Sequence, residues 1–185
     1  KLDAQQMRAV EQAYKQFTRN GALLSESDKN ELKKINTELT DLFLLFNKNL
    51  LNDTNAFELY VGTESELAGL PASSVAQAAE AASAAGKPGQ WLFTLHAPSR
   101  LPLLQYADNR ALRQKMYEGY INLASSGQYD NRPVINRILK ARARKAQLLG
   151  FENFAAYATD NVMAKTPQAA EDLLLEIWRP AVNRV

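Results

Sequence analysis

Residues 130–167 read DNRPVINRILKARARKAQLLGFENFAAYATDNVMAKTP and decide the fold class. Asp130 or Asn131 can cap the first turn of a helix, and Pro133 suits that turn because its amides lack helical partners. Gly150 supplies the left-handed residue that commonly follows a helix. The apolar residues between them fall on one side at helical spacing: Ile135, Ile138, Leu139, Ala146 and Leu149. The stretch therefore predicts a helix from about residue 130 to residue 149.

Arg142 lies in the middle of this apolar stripe, seven residues from both Ile135 and Leu149. A guanidinium there needs a carboxylate or several carbonyls, because an unpaired buried charge is costly. We expect a structural ion pair, or a side chain whose charged end reaches water, and leave contact with a ligand in a channel as the alternative. The other basic residues lie mostly off the stripe and are expected to face solvent: Arg137, Lys140, Arg144 and Lys145.

Two more helices are predicted after Gly150. A short aromatic helix, expected to pack on the preceding one, is indicated by Phe151, Phe154, Ala155 and Tyr157. Thr166 is a cap and Pro167 a first helical residue for the next helix. The apolar positions of that helix are Ala170, Leu173, Leu174, Ile177 and Trp178. The pattern predicts helices packed on helices.

The first fifty residues predict a helical hairpin. A helix over residues 3–19 has one apolar face, formed by Met7, Val10, Tyr14 and Phe17, and Asn20-Gly21 ends it. Ser25-x-x-Asp28 resembles a capping box that starts a long helix, from about residue 26 to residue 51. Its seam residues alternate three and four apart: Leu32, Ile35, Leu39, Leu42, Phe46 and Leu50. We expect this helix to be central.

The chain changes character between residues 52 and 107. Residues 57–61 and 91–96 are rich in aromatic and branched side chains and predict two short strands. An alanine-rich helix is predicted between them over residues 71–86, and another helix from residue 108 to about 124. Pro98 and Pro102 allow only an irregular segment or a short helix. The predicted fold is mainly α: one helical domain over residues 1–185, an array of long helices with a small two-stranded β excursion.

The amino-acid composition excludes some classes of function. The chain has 185 residues, 46% of them hydrophobic and 23% charged, with a formal charge of +2 and no cysteine. Nothing therefore demands a polyanionic partner, and thiolate chemistry and disulfides are excluded. No apolar run approaches a membrane span, so we expect neither nucleic acid nor a membrane as a partner. Because the chain starts at Lys1 without a methionine, we expect a piece of a longer polypeptide.

The residues offer no complete chemical site. His96 is the only histidine and is expected to be an ordinary polar strand residue, since one imidazole does not make a usual zinc site. Gly86-Lys-Pro-Gly89 has the wrong spacing for a phosphate loop. Three carboxylates on the long helix are expected to face water: Glu31, Glu38 and Asp41. We therefore assign no catalytic, cofactor-binding or metal-binding residue to this chain.

Several motifs occur in an order and spacing that together are specific. They are Phe17-x-x-x-Gly21-Ala-x-Leu24, Leu32-x-x-Ile35-Asn36-x-Glu38-Leu39, Leu67-Ala-Gly-Leu-Pro71, Gly89-Gln-Trp91, Arg142-x-x-x-Ala146-x-Leu-Leu-Gly-Phe151 and Met163-Ala-Lys-Thr-Pro167. Through them the chain resembles the N-terminal helical region of the zinc metallopeptidase family of thimet oligopeptidase, oligopeptidase A and peptidyl-dipeptidase. Among these it looks most similar to bacterial peptidyl-dipeptidase, chiefly through Leu-Ala-Gly-Leu and Ala-Lys-Thr-Pro.

The resemblance implies a parent enzyme that removes dipeptides or short pieces from small peptides. In that family a zinc ion, held by an HExxH helix and a later glutamate, activates water. Neither element is in this chain, so the resemblance implies zinc in the parent protein and none here. It also implies that this region helps wall a channel, with short peptides and the missing C-terminal catalytic domain as partners. We expect the isolated piece to be inactive and to self-associate.

Two other hypotheses stay open. The chain could be a stand-alone helical module that binds a partner protein through a helix groove, without enzymatic activity. Nucleic-acid binding through the basic face of residues 137–145 is the third, and the balanced charge argues against it. For the compartment we expect the cytoplasm, with export left open because the native N-terminus is missing.

Overall fold

The structure, a computed structural model, describes residues 2–185. In this part of the chain it has eight α-helices and two strands, so the prediction of a mainly α fold is confirmed. The helices are α1 Ala4–Arg19, α2 Glu26–Ala56, α3 Ala72–Ala84, α4 Ala97–Tyr106, α5 Arg110–Ile121, α6 Arg132–Leu148, α7 Phe154–Thr159 and α8 Pro167–Val182. The strands are β1 Leu59–Val61 and β2 Trp91–Phe93. Short 3-10 helices lie at Glu64–Leu67 and Gly127–Tyr129.

The helix starts follow the caps in the sequence. Asp3 accepts from the Gln6 amide at 2.8 Å and Thr166 from the Ala169 amide at 3.2 Å. Asp130 accepts from the Arg132 amide at 2.9 Å and so caps α6. Each cap satisfies an amide that has no helical acceptor. The predicted N-termini of α1, α6 and α8 are therefore confirmed.

The long helix α2 ends at Ala56, beyond the predicted end at Leu51. Thr54 Oγ1 donates to the Leu50 carbonyl at 2.7 Å, and Asp53 Oδ2 accepts from the Ala124 amide at 2.6 Å. The contact with Ala124 joins positions 71 residues apart, which local propensity does not report. Tertiary contacts therefore accompany an extra turn of helix.

The two strands pair antiparallel, with Leu59 opposite Phe93 and Val61 opposite Trp91. Both are shorter than the predicted ranges of 57–61 and 91–96. The Thr94 amide donates to Ser99 Oγ at 3.0 Å instead of continuing the ladder. The ten-residue helix α4 then follows at once and contains Pro102.

The chain divides into two compact units, residues 1–43 with 136–185 and residues 44–135. The boundary falls inside α2 and inside α6. The second unit has a continuous apolar core of Val61, Leu67, Ala78, Phe93, Leu95, Leu103, Ala107, Leu112 and Met116. In the first unit the predicted seam of α2 is buried at Leu32, Ile35, Leu39 and Leu42. A single domain over residues 1–185 stays a prediction.

The buried face of α6 differs from the predicted stripe. Ile138 and Ala146 are buried as expected, but Ile135 and Leu139 are 41% and 55% exposed. Ala141 is buried in their place. The stripe predicted from periodicity was too broad, because periodicity does not show which part of an apolar face packs against another element. No helix in residues 2–185 is both long enough and apolar enough to cross a membrane.

Candidate functional site

Arg142 lies against aromatic rings. Its guanidinium carbon is 4.8 Å from the ring centroid of Phe154 and 5.3 Å from that of Phe43, both in the first unit. Within the described residues it forms no ion pair, so the expected carboxylate partner is not observed. Attraction between a cation and a ring face partly offsets the loss of hydration. The contacts point to a packing role.

Three of the other basic residues of α6, Arg137, Lys140 and Arg144, are exposed as expected, and Arg137 and Arg144 also form ion pairs with α2. Arg144 lies 2.6 Å from Glu31 and 3.3 Å from Glu38, and Arg137 lies 3.6 Å from Glu38. Two of the carboxylates predicted to face water are therefore paired, a relation that spacing within one helix does not reveal. Exposed pairs of this kind contribute little to stability. They do neutralise part of the basic face that the nucleic-acid hypothesis needs.

Lys145 is also held in this region. Its ammonium group donates to Asn36 Oδ1 at 2.8 Å and lies 5.8 Å from the ring centroid of Tyr157. Burial lowers the pKa of the Lys145 ammonium group, because desolvation disfavours the charged form. The residue is thus a packed structural group, where the sequence had predicted a solvated one.

A second charged cluster joins the ends of α1 and α7. Arg19 donates to Asp160 Oδ2 at 2.5 Å and to the Tyr157 carbonyl at 2.6 Å. Lys15 contacts the same Asp160 carboxylate at 3.1 Å. The hydrogen bonds from Lys15 and Arg19 hold the pKa of the Asp160 carboxyl below its ordinary value. Arg19 also lies 4.5 Å from the Tyr157 ring centroid.

Beside this cluster is a polar cleft of about 490 Å³, here named the α1 cleft. Its lining residues come from α1 and from the segment around α7: Arg8, Gln12, Gln16, Arg19, Asn20, Tyr157, Asn161 and Lys165. In the part of the chain that the structure describes, neither Arg8 nor Lys165 has a carboxylate within ion-pair distance. The α1 cleft therefore combines uncompensated positive charge with neutral amides.

Two helices of the first unit expose their apolar faces. On α1 the exposed residues are Met7, Val10, Tyr14 and Phe17, and on α8 they are Leu173, Leu174, Ile177 and Trp178. These are residues of the apolar helix faces that the sequence predicted. Contiguous apolar surface is uncommon on a protein that functions without a partner. Both faces are candidate interaction surfaces.

His96 is not a strand residue, contrary to the sequence expectation. It precedes the first residue of α4, and its Nε2 lies 3.0 Å from Asn55 Oδ1. A cleft of about 210 Å³ in the second unit is lined by His96, by the polar residues Ser74, Gln77, Thr94 and Ser99 and by apolar residues, with no carboxylate among them. An imidazole needs an orienting acid and an adjacent nucleophile to support acyl transfer. This arrangement does not supply them.

The side chains of this chain can be compared with the ligands that a zinc ion requires. Residues 2–185 contain no group of three or more His, Cys, Asp or Glu side chains placed to hold a metal. A catalytic zinc site takes three such ligands plus water. The residues described therefore do not fit a zinc ion, which the family resemblance places in the rest of the parent protein.

Comparison with known proteins gives a consistent result. Residues 103–185 match the family model described as Peptidase family M3. The probable cytosolic oligopeptidase A of Arabidopsis thaliana is 39% identical over 194 residues, covering 100% of this chain and 28% of the relative. Oligopeptidase A of Salmonella typhimurium is 37% identical, covering 97% and 27%, and dipeptidyl carboxypeptidase of Escherichia coli is 37% identical, covering 99% and 27%. The chain thus spans little more than a quarter of the length of these relatives.

Proposed function

Because this chain belongs to peptidase family M3, we propose that it forms the N-terminal channel wall of a zinc-dependent oligopeptidase that releases C-terminal dipeptides from short peptides. The observation that carries the proposal is similarity over 97–100% of the chain to oligopeptidase A and dipeptidyl carboxypeptidase, of which it spans only 27–28%. The identities to the two kinds of relative are nearly equal, so they do not choose between them. Release of dipeptides rests on the Leu67-Ala-Gly-Leu and Ala164-Lys-Thr-Pro motifs.

Zinc enters this proposal only through the rest of the parent polypeptide. Since the residues described here do not fit a metal, the ligands would lie elsewhere in that polypeptide. Bound zinc supplies an activated water to a peptidase. We assign no catalytic residue to this chain, and we expect the isolated chain to be inactive.

The exposed apolar faces support a role as part of a larger body. The relatives carry more than two-thirds of their length outside the matched region, which offers an occupant for the exposed faces of α1 and α8. Burial of apolar surface contributes about 25 cal/mol per Å². We propose that the remaining polypeptide covers these faces. When it is absent they would drive self-association.

The same faces favour one alternative. A stand-alone module would use the apolar stripe of α8, with Leu174 and Trp178, to bind a helix of another protein. In that case the native polypeptide would hydrolyse no peptide, and Trp178 would stay exposed until the partner was added. The compartment is a separate proposal, and we favour the cytoplasm.

Hydrolysis by the native polypeptide tests the function. We expect peptides of four to ten residues to lose dipeptides from their C-terminal ends, as seen by mass spectrometry. A chelator should stop the reaction and added zinc should restore it. Absence of hydrolysis, or release of single residues only, would reject the proposal.

Fluorescence quenching tests the contact with the remaining polypeptide. Trp178 is 65% exposed in this chain. We expect acrylamide to quench it strongly in the 185-residue chain and weakly in the native polypeptide. Subtracting the signal of the Trp178→Phe variant of each protein isolates the quenching of Trp178 from that of Trp91 and of any other tryptophan. Equal quenching of Trp178 in both proteins would contradict the contact.

A further inference from the structure

The α1 cleft lies on a different side of α1 from the apolar face. Arg8, Gln12 and Gln16 are four residues apart and share one side of the helix. At about 100° per residue, the apolar residues Val10 and Phe17 fall on roughly the opposite side. Covering the apolar face of α1 therefore does not by itself cover the α1 cleft. The cleft and the apolar face are separate surfaces.

Charge in the α1 cleft is unbalanced. Asp160, which pairs with the lining residue Arg19, is already shared with Lys15. Arg8 and Lys165 line the same cleft and have no acidic partner among residues 2–185. Cations in a concave wall attract anions, since the surrounding protein focuses their field. The unpaired positive charge of the cleft therefore favours a negatively charged ligand.

The backbone at Lys165 gives a second observation. Its φ of 64° lies in the left-handed region, which glycine adopts without strain and lysine adopts at a cost. Strained conformations at non-glycine residues concentrate at functional sites. Here the strained residue is one of the two unpaired cations of the cleft. A structural turn alone would be served better by glycine.

The remaining lining groups indicate which anion is bound. Gln12, Gln16 and Asn161 carry both donors and acceptors, which match the amide and carbonyl groups of a peptide. A volume of about 490 Å³ is within the range of small-ligand sites, roughly 300–1,000 Å³. We propose that the α1 cleft binds the carboxylate end of a short peptide, with Arg8 and Lys165 on the carboxylate and the amides on the adjoining peptide group. This rests on the proposed function, that the parent polypeptide handles short peptides.

The test is peptide binding to the native polypeptide, measured by calorimetry with alanyl-alanine and with its C-terminal amide. Alanyl-alanine is already a dipeptide, so release of dipeptides does not consume it. Charge-assisted hydrogen bonds are about twice as strong as neutral ones. We expect the free acid to bind about 10-fold more tightly than the amide. We also expect the Arg8→Gln, Lys165→Asn double variant to lose that difference.

Control variants separate local from general effects. Lys140→Gln removes an exposed charge of α6 outside the cleft and should leave both affinities unchanged. Asparagine is chosen at position 165 because it tolerates the left-handed backbone. Equal binding of acid and amide, or wild-type affinity in the double variant, would overturn the proposal. Inorganic phosphate that binds as tightly as alanyl-alanine would also overturn it, because the cleft would then be a general oxyanion site.

Hydrolysis of longer peptides by the wild-type polypeptide is measured on the same samples. If hydrolysis occurs while the double variant binds alanyl-alanine like the wild type, this inference alone fails. If no peptide is hydrolysed, the proposed function fails. The affinities of the double variant and the wild type for alanyl-alanine still show whether binding depends on Arg8 and Lys165.

Discussion

Arg19 Nη1 lies 2.5 Å from Asp160 Oδ2, although 141 residues separate the two in the sequence. The side chain of Arg19 is only 15% exposed, and its second terminal nitrogen donates to the Tyr157 carbonyl at 2.6 Å. The rings of Phe151 and Tyr157 lie within 5.6 Å of the same guanidinium. One side chain thus ties the end of α1 to α7 within the first unit.

Replacing Arg19 by methionine should destabilise the first unit by about 1–2 kcal/mol. The change keeps an apolar stem but removes the ion pair with Asp160, the bond to the Tyr157 carbonyl and the contacts with the rings. Lys15→Met is the matched control and should cost less than about 1 kcal/mol, since Lys15 is 40% exposed. The measurement is urea unfolding of the 185-residue chain followed by circular dichroism. Equal effects of the two variants would show that Arg19 is no more than a surface charge.

The free energy of unfolding of the first unit should depend on pH through Asp160. Hydrogen bonds from Lys15 and Arg19 lower the pKa of its carboxyl in the folded state. This stabilisation is complete above the unfolded pKa of about 3.9 and is lost as the pH falls through the lower folded value. Between about pH 5 and pH 2, the free energy of unfolding should therefore change less in Asp160→Asn than in the wild type. The unfolding midpoint of each protein across that range is the readout, and an unchanged pH dependence in Asp160→Asn would contradict the prediction.

The sequence predicts those features of the fold that depend on neighbours along the chain. Helix starts at Asp130 and Thr166 follow from capping chemistry, and both are observed. The strand ends and the end of α2 were misjudged, because Ser99 and Ala124 come from other elements. Local sequence patterns do not show contacts between residues that are far apart in the chain.

The α1 cleft was missed for the same reason. Arg8 and Lys165 are unremarkable charges in the sequence, and only the fold brings them to one cavity. Pairing of Glu38 with Arg144 was likewise beyond reach, since 106 residues separate them. One feature of the sequence did indicate a polar face of α1. Arg8, Gln12 and Gln16 recur every four residues, on the side opposite the apolar residues.

Asn131 should be among the more sensitive polar positions. It is 2% exposed, and its amide donates to the Phe46 carbonyl and accepts from Asn49 Nδ2, each at 3.0 Å. Asn131→Leu removes both bonds and leaves the Asn49 amide without its partner, which should cost about 2 kcal/mol. Asn49→Ala should cost less because Asn49 is only half-buried. In urea unfolding, the double variant should be less destabilised than the sum of the single changes.

Gly119 is a helical glycine of the second unit where a methyl group would meet another side chain. A Cβ at this position would overlap Cε2 of the Phe57 ring. Because Gly119 lies within α5, the helix would gain propensity from alanine, but the overlap should dominate. We expect Gly119→Ala to destabilise the chain by about 1–3 kcal/mol in urea unfolding.

A second change distinguishes overlap from any other effect at Gly119. Phe57→Leu removes the ring atoms that a Cβ would meet, so Gly119→Ala should be better tolerated in that background than in the wild type. Gly62→Ala is the control, since a Cβ there meets no atom within 4 Å, and its effect should be within about 0.5 kcal/mol. If Gly119→Ala costs the same in both backgrounds, contact between α5 and Phe57 is not what requires glycine here.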